Sequence, residues 1–389
     1  MLGGTGEIRA TRADPNGRAA TTPIASSVAE PEAIVVTHWF DPGQGGEPYS
    51  ATIQLSGRRI GAHGRPKSSD TFTHEEALDR VVPGSGPVSV TSYVYGLLPG
   101  AWDIRAELRR PPTRTGGALS THGGRRMTTE SLPRATWSWR RWALSTAFDG
   151  PVKTRWALAV PLARIPGVLP GSFTVLGLLG IAVAVIVPAA ILERSGVSIG
   201  TSVLVYALAI VSGLIGAKLW SRALHPGEAI VGPGWAVDGF LVVAPTAAVI
   251  ALLALGLPIG RFLDASAPGI FAAVAIGRFG CFFTGCCTGR CTRHRFGVWS
   301  SDRRIGARRI PTQLLESGAG LVIGLAARLL VLGNVIALQG AVFVASVATY
   351  LVARQFLLRL RAEPRQFLWQ RSRPVALPGS STSTRSATR

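Results

Sequence analysis

"GSFTVLGLLGIAVAVIVPAAIL", residues 171–192, contains no charged side chain. A helix rises 1.5 Å per residue, so a run of this length and apolarity spans a bilayer's hydrocarbon core. Five further runs follow: 198–220, 232–257, 265–283, 312–333 and 335–358. Few charges interrupt them, among them Asp238, Arg278, Glu316, Arg328 and Arg354. So many long apolar runs with almost no polar face do not suit a water-soluble core. The expected fold is an α-helical polytopic membrane domain of about six spans over residues 171–361.

The composition agrees. Of 389 residues, 47% are hydrophobic and 16% charged, yet the net charge is +20, with 38 Arg against 3 Lys. A soluble domain carries about 25% charged residues. Apolar and basic residues must therefore be segregated along the chain. Such basicity alone would suggest nucleic acid, but the spans anchor the chain in a bilayer, so no nucleic-acid partner is expected. Four Cys and six His exclude a disulfide-stapled scaffold. Arginines cluster before the first span, in the loop between spans four and five (Arg290, Arg293, Arg295, Arg303, Arg304, Arg308, Arg309) and after the last span. Counted as an orientation signal, they place both termini in the cytoplasm.

Upstream, "AIVVTHWF" (33–40), "YSATIQL" (49–55) and "VSVTSYVYGL" (88–97) are short, β-rich and separated by turn residues. The segment Ser92–Leu108 alternates, turns at Pro99-Gly100 and alternates again through Trp102, Ile104 and Ala106. It resembles the E–F corner of a fibronectin type III or immunoglobulin-like sandwich, with Trp102 where that family has a Tyr. A soluble β-sandwich-like domain is expected over 33–110, folding by itself. Residues 1–32 and 362–389 read as disordered. Residues 111–170 read as a basic linker in which Trp137, Trp139, Trp142 and Phe148 lie among arginines, a composition suited to an anionic lipid surface.

Ionisable groups within spans are costly, so they are expected to face the protein interior and serve a function. Arg278 lies among Gly277, Gly280, Gly285 and Gly289. With Arg290 it could clamp a phosphate, because guanidinium forks match phosphate oxygens. Gln313 and Glu316, three apart, could share a face toward a polar cavity. Cys281, Cys286, Cys287 and Cys291 form the chain's only cysteine cluster. Their spacing admits a metal site, thiol–disulfide chemistry or simple apolar filling.

Taken together, these stretches resemble the prolipoprotein diacylglyceryl transferase family. Its G-R-x-G-N-F-x-N-x-E-x-x-G-R motif corresponds to "GRFGCFFTGCCTGR", Gly277 to Arg290. Its H-P-S/T-Q-L-Y-E motif corresponds to residues 310–316, with Pro311, Thr312, Gln313, Leu314 and Glu316 kept. "GLIGAKLW" (213–220) resembles a third motif, and Tyr350, Arg354 and Arg361 fit a Y-x3-R-x6-R pattern.

The resemblance implies a multi-pass enzyme of the bacterial inner membrane. Such enzymes move a diacylglyceryl group from phosphatidylglycerol, or a similar anionic lipid, to the cysteine of a preprolipoprotein. It implies seven spans and an outward N-terminus, against the charge count. Carried over, Arg278 and Arg354 are catalytic and hold the headgroup phosphate. Gly280, Gly289, Arg290, Gln313, Glu316, Asp238 and Tyr350 bind substrate, and no cofactor or resident metal is implied. The chain departs from the pattern at Asp238, which stands at a histidine position, and at Cys281 and Cys286, which replace Asn and Glu. Ile310, Leu358 and Leu176 are further departures. Asp238 is expected to act as counter-ion to Arg278 or Arg354 rather than as a base, since a carboxylate is a poor base for a thiol. A non-catalytic lipid-binding scaffold and a thiol-redox or metal-binding membrane protein are the alternatives.

Overall fold

A computed structural model describes residues 32–61, 67–110, 128–224 and 236–362. The unstructured segments expected before residue 32 and after residue 362 lie outside the described residues, as do 111–127 of the expected linker. Ten strands come first: β1 (Glu32–Phe40), β2 (Tyr49–Arg59), β3 (Thr71–Val81), β4 (Val88–Leu97), β5 (Ala101–Arg110), β6 (Thr128–Ser131), β7 (Ala135–Ser138), β8 (Ala143–Thr146), β9 (Val152–Lys153) and β10 (Arg155–Trp156). Helices α1 (Ser172–Glu193), α2 (Ile199–Leu224), α3 (Val237–Ala254) and α4 (Ile259–Thr284) follow. Then come a hairpin, β11 (Val298–Ser301) and β12 (Ile305–Arg309), and helices α5 (Thr312–Leu332) and α6 (Ala341–Leu358).

Ten of the strands form two antiparallel sheets over one core, and β7 and β8 pair as a separate hairpin. One sheet has the order β10-β1-β4-β12-β11, the other β3-β2-β5-β6 with β9 beside β5. Period-2 alternation explains the packing. Along β5, Trp102, Ile104, Ala106 and Leu108 are buried while Asp103, Arg105 and Glu107 are exposed. These residues meet Ile34 and Phe40 of β1, Ile53 and Leu55 of β2 and Val90 of β4. Trp102 is fully buried, and its indole N–H donates to the Leu98 carbonyl at 3.2 Å, closing the corner at Pro99-Gly100.

The domain boundary expected at residue 110 is corrected. Strands β6, β9 and β10 extend the two sheets into the supposed linker. More consequentially, β12 comes from the loop between α4 and α5 and completes the first sheet. It pairs with β4 at Ile305–Val90 and Gly306–Ser89, and Ala307 joins the core. Thr91 N–H donates to Arg304 O at 2.7 Å, Tyr93 Oη–H donates to Arg303 O at 2.9 Å, and Arg304 pairs with Glu76. The first sheet is therefore extended by a strand from outside the 33–110 segment, without which β4 would present an unpaired edge.

Of the aromatic residues of the expected linker, Trp137 packs on the β11 strand and Trp142 on helix α4. Trp137 stacks on Trp299 of β11 at 4.4 Å between ring centroids, and Trp142 stacks on Phe282 of α4 at 5.9 Å. Trp137 and Trp142 thus bury ring area within the protein, while Trp139 and Phe148 stay exposed.

Among the described residues, five helices (α1, α2, α4, α5, α6) are long and apolar enough to cross a membrane, and α3 is a shorter apolar helix. This fits a helical membrane domain. Helix α4 lies between α1 and α5, and α2 packs with α3. The start of α1 meets the end of α4 through a Ser172–Thr284 hydroxyl pair at 2.9 Å. The Gly289–Arg361 bridge brings the end of α6 to the same side. The α4–α5 loop and the β-domain thus share one end of the bundle.

Gly306 tests the donated strand. A Cβ there would strike the Trp299 ring and lie 2.5 Å from Ser89 Oγ. Gly306→Val is expected to cost about 1–3 kcal/mol through overpacking, read as a lower midpoint of thermal unfolding by tryptophan emission. An unchanged midpoint would contradict the pairing of β12 with β4.

Candidate functional site

Glu316 projects from the second turn of α5 and is 1% exposed. A carboxylate cannot be left unpaired at such a position without a cost of several kcal/mol. Its partners arrive from two other parts of the fold. Glu316 Oε1 accepts from Arg278 Nη2 of α4, Arg354 Nη1 of α6 and Tyr350 Oη of α6, each at 2.8 Å. Oε2 accepts from Arg361 Nη2, just beyond α6, also at 2.8 Å. One carboxylate thereby gathers three guanidinium groups, leaving the cluster with two positive charges in excess. The Arg354 side chain retains 34% exposure and Arg278 16%, against 11% for Arg361. Each guanidinium carries five donors, so the more open arginines have donors left for an anion.

The segment after α4 is threaded between the start of α5 and the end of α6. Arg290 N–H donates to Leu360 O and Ala362 N–H to Thr288 O, both at 3.0 Å. Gly289 must be glycine, because a Cβ would collide with the Ile310 carbonyl. Gln313 Nε2 donates to Cys286 O at 2.8 Å, and Thr312 Oγ1 donates to Cys287 O at 3.2 Å. Arg309 is buried and ties this segment to the hairpin. It donates to Gly289 O at 3.3 Å, Ile305 O at 3.0 Å and Asp302 Oδ2 at 2.7 Å.

The structure brings Arg278, Arg354, Tyr350 and Glu316 together. Gln313 and Gly289 shape the adjoining backbone. Gly280 serves the α1–α4 contact, where its Cβ would lie 3.2 Å from Phe173 Cα. Two expectations are corrected. Arg290 does not join Arg278 in a clamp: it is exposed and its Nε donates to Arg361 O at 3.2 Å. Asp238 is not the counter-ion of Arg278 or Arg354. It is exposed in the first turn of α3, and Glu316 takes that role. The sequence points to Asp238 as a counter-ion because a carboxylate at the family's histidine position is a poor base for a thiol. Which carboxylate meets the arginines depends on helix packing. Arg361 and Arg309 are site residues that the sequence reading did not assign to the site. Arg361 was visible only as the last arginine of Y-x3-R-x6-R. Arg309 was hidden among the loop arginines.

The family model for prolipoprotein diacylglyceryl transferase matches residues 163–378. The chain is 32% identical over 120 residues to a phosphatidylglycerol–prolipoprotein diacylglyceryl transferase of Dehalococcoides mccartyi, a match covering 28% of this chain and 46% of that relative. The same enzyme from a second strain is 36% identical over 89 residues, covering 21% of this chain and 34% of the relative. The matches thus span less than half the length of these curated relatives.

Glu316→Gln removes the charge that holds three arginines together. The expected result is a loss of about 3 kcal/mol or more, read as a lower unfolding midpoint of the detergent-solubilised protein. Asp238→Asn is expected to leave the midpoint within about 0.5 kcal/mol of wild type, as an exposed substitution does. Equal effects of the two changes would contradict the assignment of Glu316 as the counter-ion.

Proposed function

The chain belongs to the prolipoprotein diacylglyceryl transferase family, and on that premise we propose that it transfers a diacylglyceryl group from phosphatidylglycerol to the cysteine thiol of a prolipoprotein. The observation that carries this reading is the excess of two positive charges where Arg278, Arg354 and Arg361 meet Glu316. In the reaction a thiolate sulfur attacks the glyceryl carbon that bears the phosphate ester. The S–C bond forms as the C–O bond breaks, and its electron pair leaves on glycerol phosphate. The phosphate thereby passes from one negative charge to two. Fixed positive charge that pairs better with the dianion than with the diester lowers the barrier. In this reading Arg278 and Arg354 are the catalytic contacts to phosphate. Glu316, Tyr350 and Arg361 position them, and Gln313, Gly280 and Gly289 shape the cavity.

The protein is proposed to act in a bacterial inner membrane, with the two-sheet domain as its partner module. The Trp102–Leu98 corner supports a fibronectin type III-like ancestry for that module, while the strand donated by the α4–α5 loop is a departure from it. A second reading, a lipid-binding protein without transferase activity, is supported by the state of Glu316. Both its oxygens are engaged by guanidinium groups, so it is not free to serve as a base.

Transfer of labelled diacylglycerol from phosphatidylglycerol vesicles to a peptide carrying the acceptor cysteine separates the two. The wild type is expected to transfer the label, and Arg354→Ala to lower the rate by about 100-fold, as for loss of one transition-state charge contact. Retained phosphatidylglycerol binding without any transfer would establish the non-catalytic reading.

A further inference from the structure

Three cysteines lie beside the arginine cluster, and the proposed transfer chemistry does not use them. The Sγ atoms of Cys281, Cys286 and Cys287 all lie within 4.8 Å of one another. Cys281 is in the last turn of α4, and the other two are in the segment that follows. Adjacent residues in extended backbone point to opposite sides, so Cys286 and Cys287 would ordinarily diverge. Here Gly285 and Cys287 both have positive φ, +79° and +55°. The left-handed region is sparsely occupied by residues other than glycine, and strain of this kind collects at functional sites. The two left-handed residues fold the chain back so that both sulfurs meet Cys281. The carbonyls of Cys286 and Cys287 are fixed by Gln313 and Thr312, so the turn is held from outside.

No disulfide joins the three. A tetrahedral zinc ion with Zn–S bonds of about 2.3 Å places its thiolates about 3.8 Å apart, within reach of small side-chain rotations here. The fourth cysteine does not complete the set. Cys291 packs against the β-domain core, and among the described residues the cluster contains no further His, Cys, Asp or Glu.

We propose that Cys281, Cys286 and Cys287 bind one zinc ion as thiolates, leaving its fourth position open to an incoming thiol. Three protein ligands and one open position characterise catalytic rather than structural zinc. A thiol that binds zinc releases its proton to solvent and stays bound as thiolate. Resting on the transferase reading, the incoming thiol is that of the acceptor cysteine. The site then supplies the nucleophile that neither Asp238 nor Glu316 is placed to generate.

Zinc content of the full chain, purified in detergent under reducing conditions without chelators, tests the site directly. About one zinc per chain is expected. Competition with a chromophoric chelator should show at least about tenfold weaker zinc binding for Cys281→Ser and Cys287→Ser, no less than losing an outer-shell partner costs. Cys291→Ser should bind as wild type. Wild-type protein that neither retains nor takes up zinc would overturn the proposal. So would equal loss in Cys291→Ser, or an intact mass showing Cys286 and Cys287 oxidised to a disulfide. With cobalt(II) in place of zinc, a peptide carrying the acceptor cysteine should change the visible spectrum, and its serine counterpart should not. No spectral change would overturn the open position. A spectral change without transfer would count against the transferase reading alone and leave the metal site standing.

Discussion

A single buried carboxylate organises the membrane half of this protein. Glu316 enters the bundle on α5, and four donors from α4, α6 and the chain beyond α6 close upon it. Each arginine alone would be a costly orphan in an apolar bundle, and Glu316 alone would be equally untenable. Together they are paired and still positive. In the proposed reading, stability and anion binding come from one arrangement, since the residue that holds the arginines together leaves them under-neutralised. The fold places this arrangement where three helices meet at the end of the bundle that carries the β-domain.

The α4–α5 loop links that site to the two-sheet domain. It begins with the cysteine turn, passes Gly289 beneath the end of α6, and then becomes a strand of the first sheet. Arg309, holding Gly289 O and Asp302 together, is the pin between the two ends of this path. The loop's arginines also acquire a structural explanation. Arg304 pairs with Glu76 and Arg309 with Asp302, just as Arg361 beyond α6 pairs with Glu316. The basic excess at this end of the bundle thus serves internal pairing as well as any role in orientation. That weakens the simple loop-charge count over these residues.

Much of this was legible from residue order. The apolar runs matched helices because a span's length is set by bilayer thickness and helix rise. Alternation through Trp102, Ile104 and Ala106 marked a strand because its period is 2. The cost of burying charge drew attention to Arg278, Arg354 and Glu316. Non-local choices were not legible. Nothing in "IGARR" (305–309) signals that it will pair with β4, more than 200 residues earlier, since a five-residue strand carries no record of its partner. Asp238 reads as a counter-ion because a carboxylate is a poor base for a thiol, but helix packing brings Glu316 to the arginines instead. The convergence of Cys286 and Cys287 depends on a left-handed residue that is not glycine, which no propensity would suggest.

The central claim is that Glu316 assembles Arg278, Arg354 and Arg361 into one site for a lipid phosphate. An experimental structure of the protein in nanodiscs containing phosphatidylglycerol tests it most directly. The prediction is a headgroup phosphate within hydrogen-bond distance of Arg278 and Arg354, with Glu316 still bridging the three guanidinium groups. A structure in which the arginines stand apart from Glu316, or in which the phosphate lies elsewhere and these arginines face acyl chains, would contradict it.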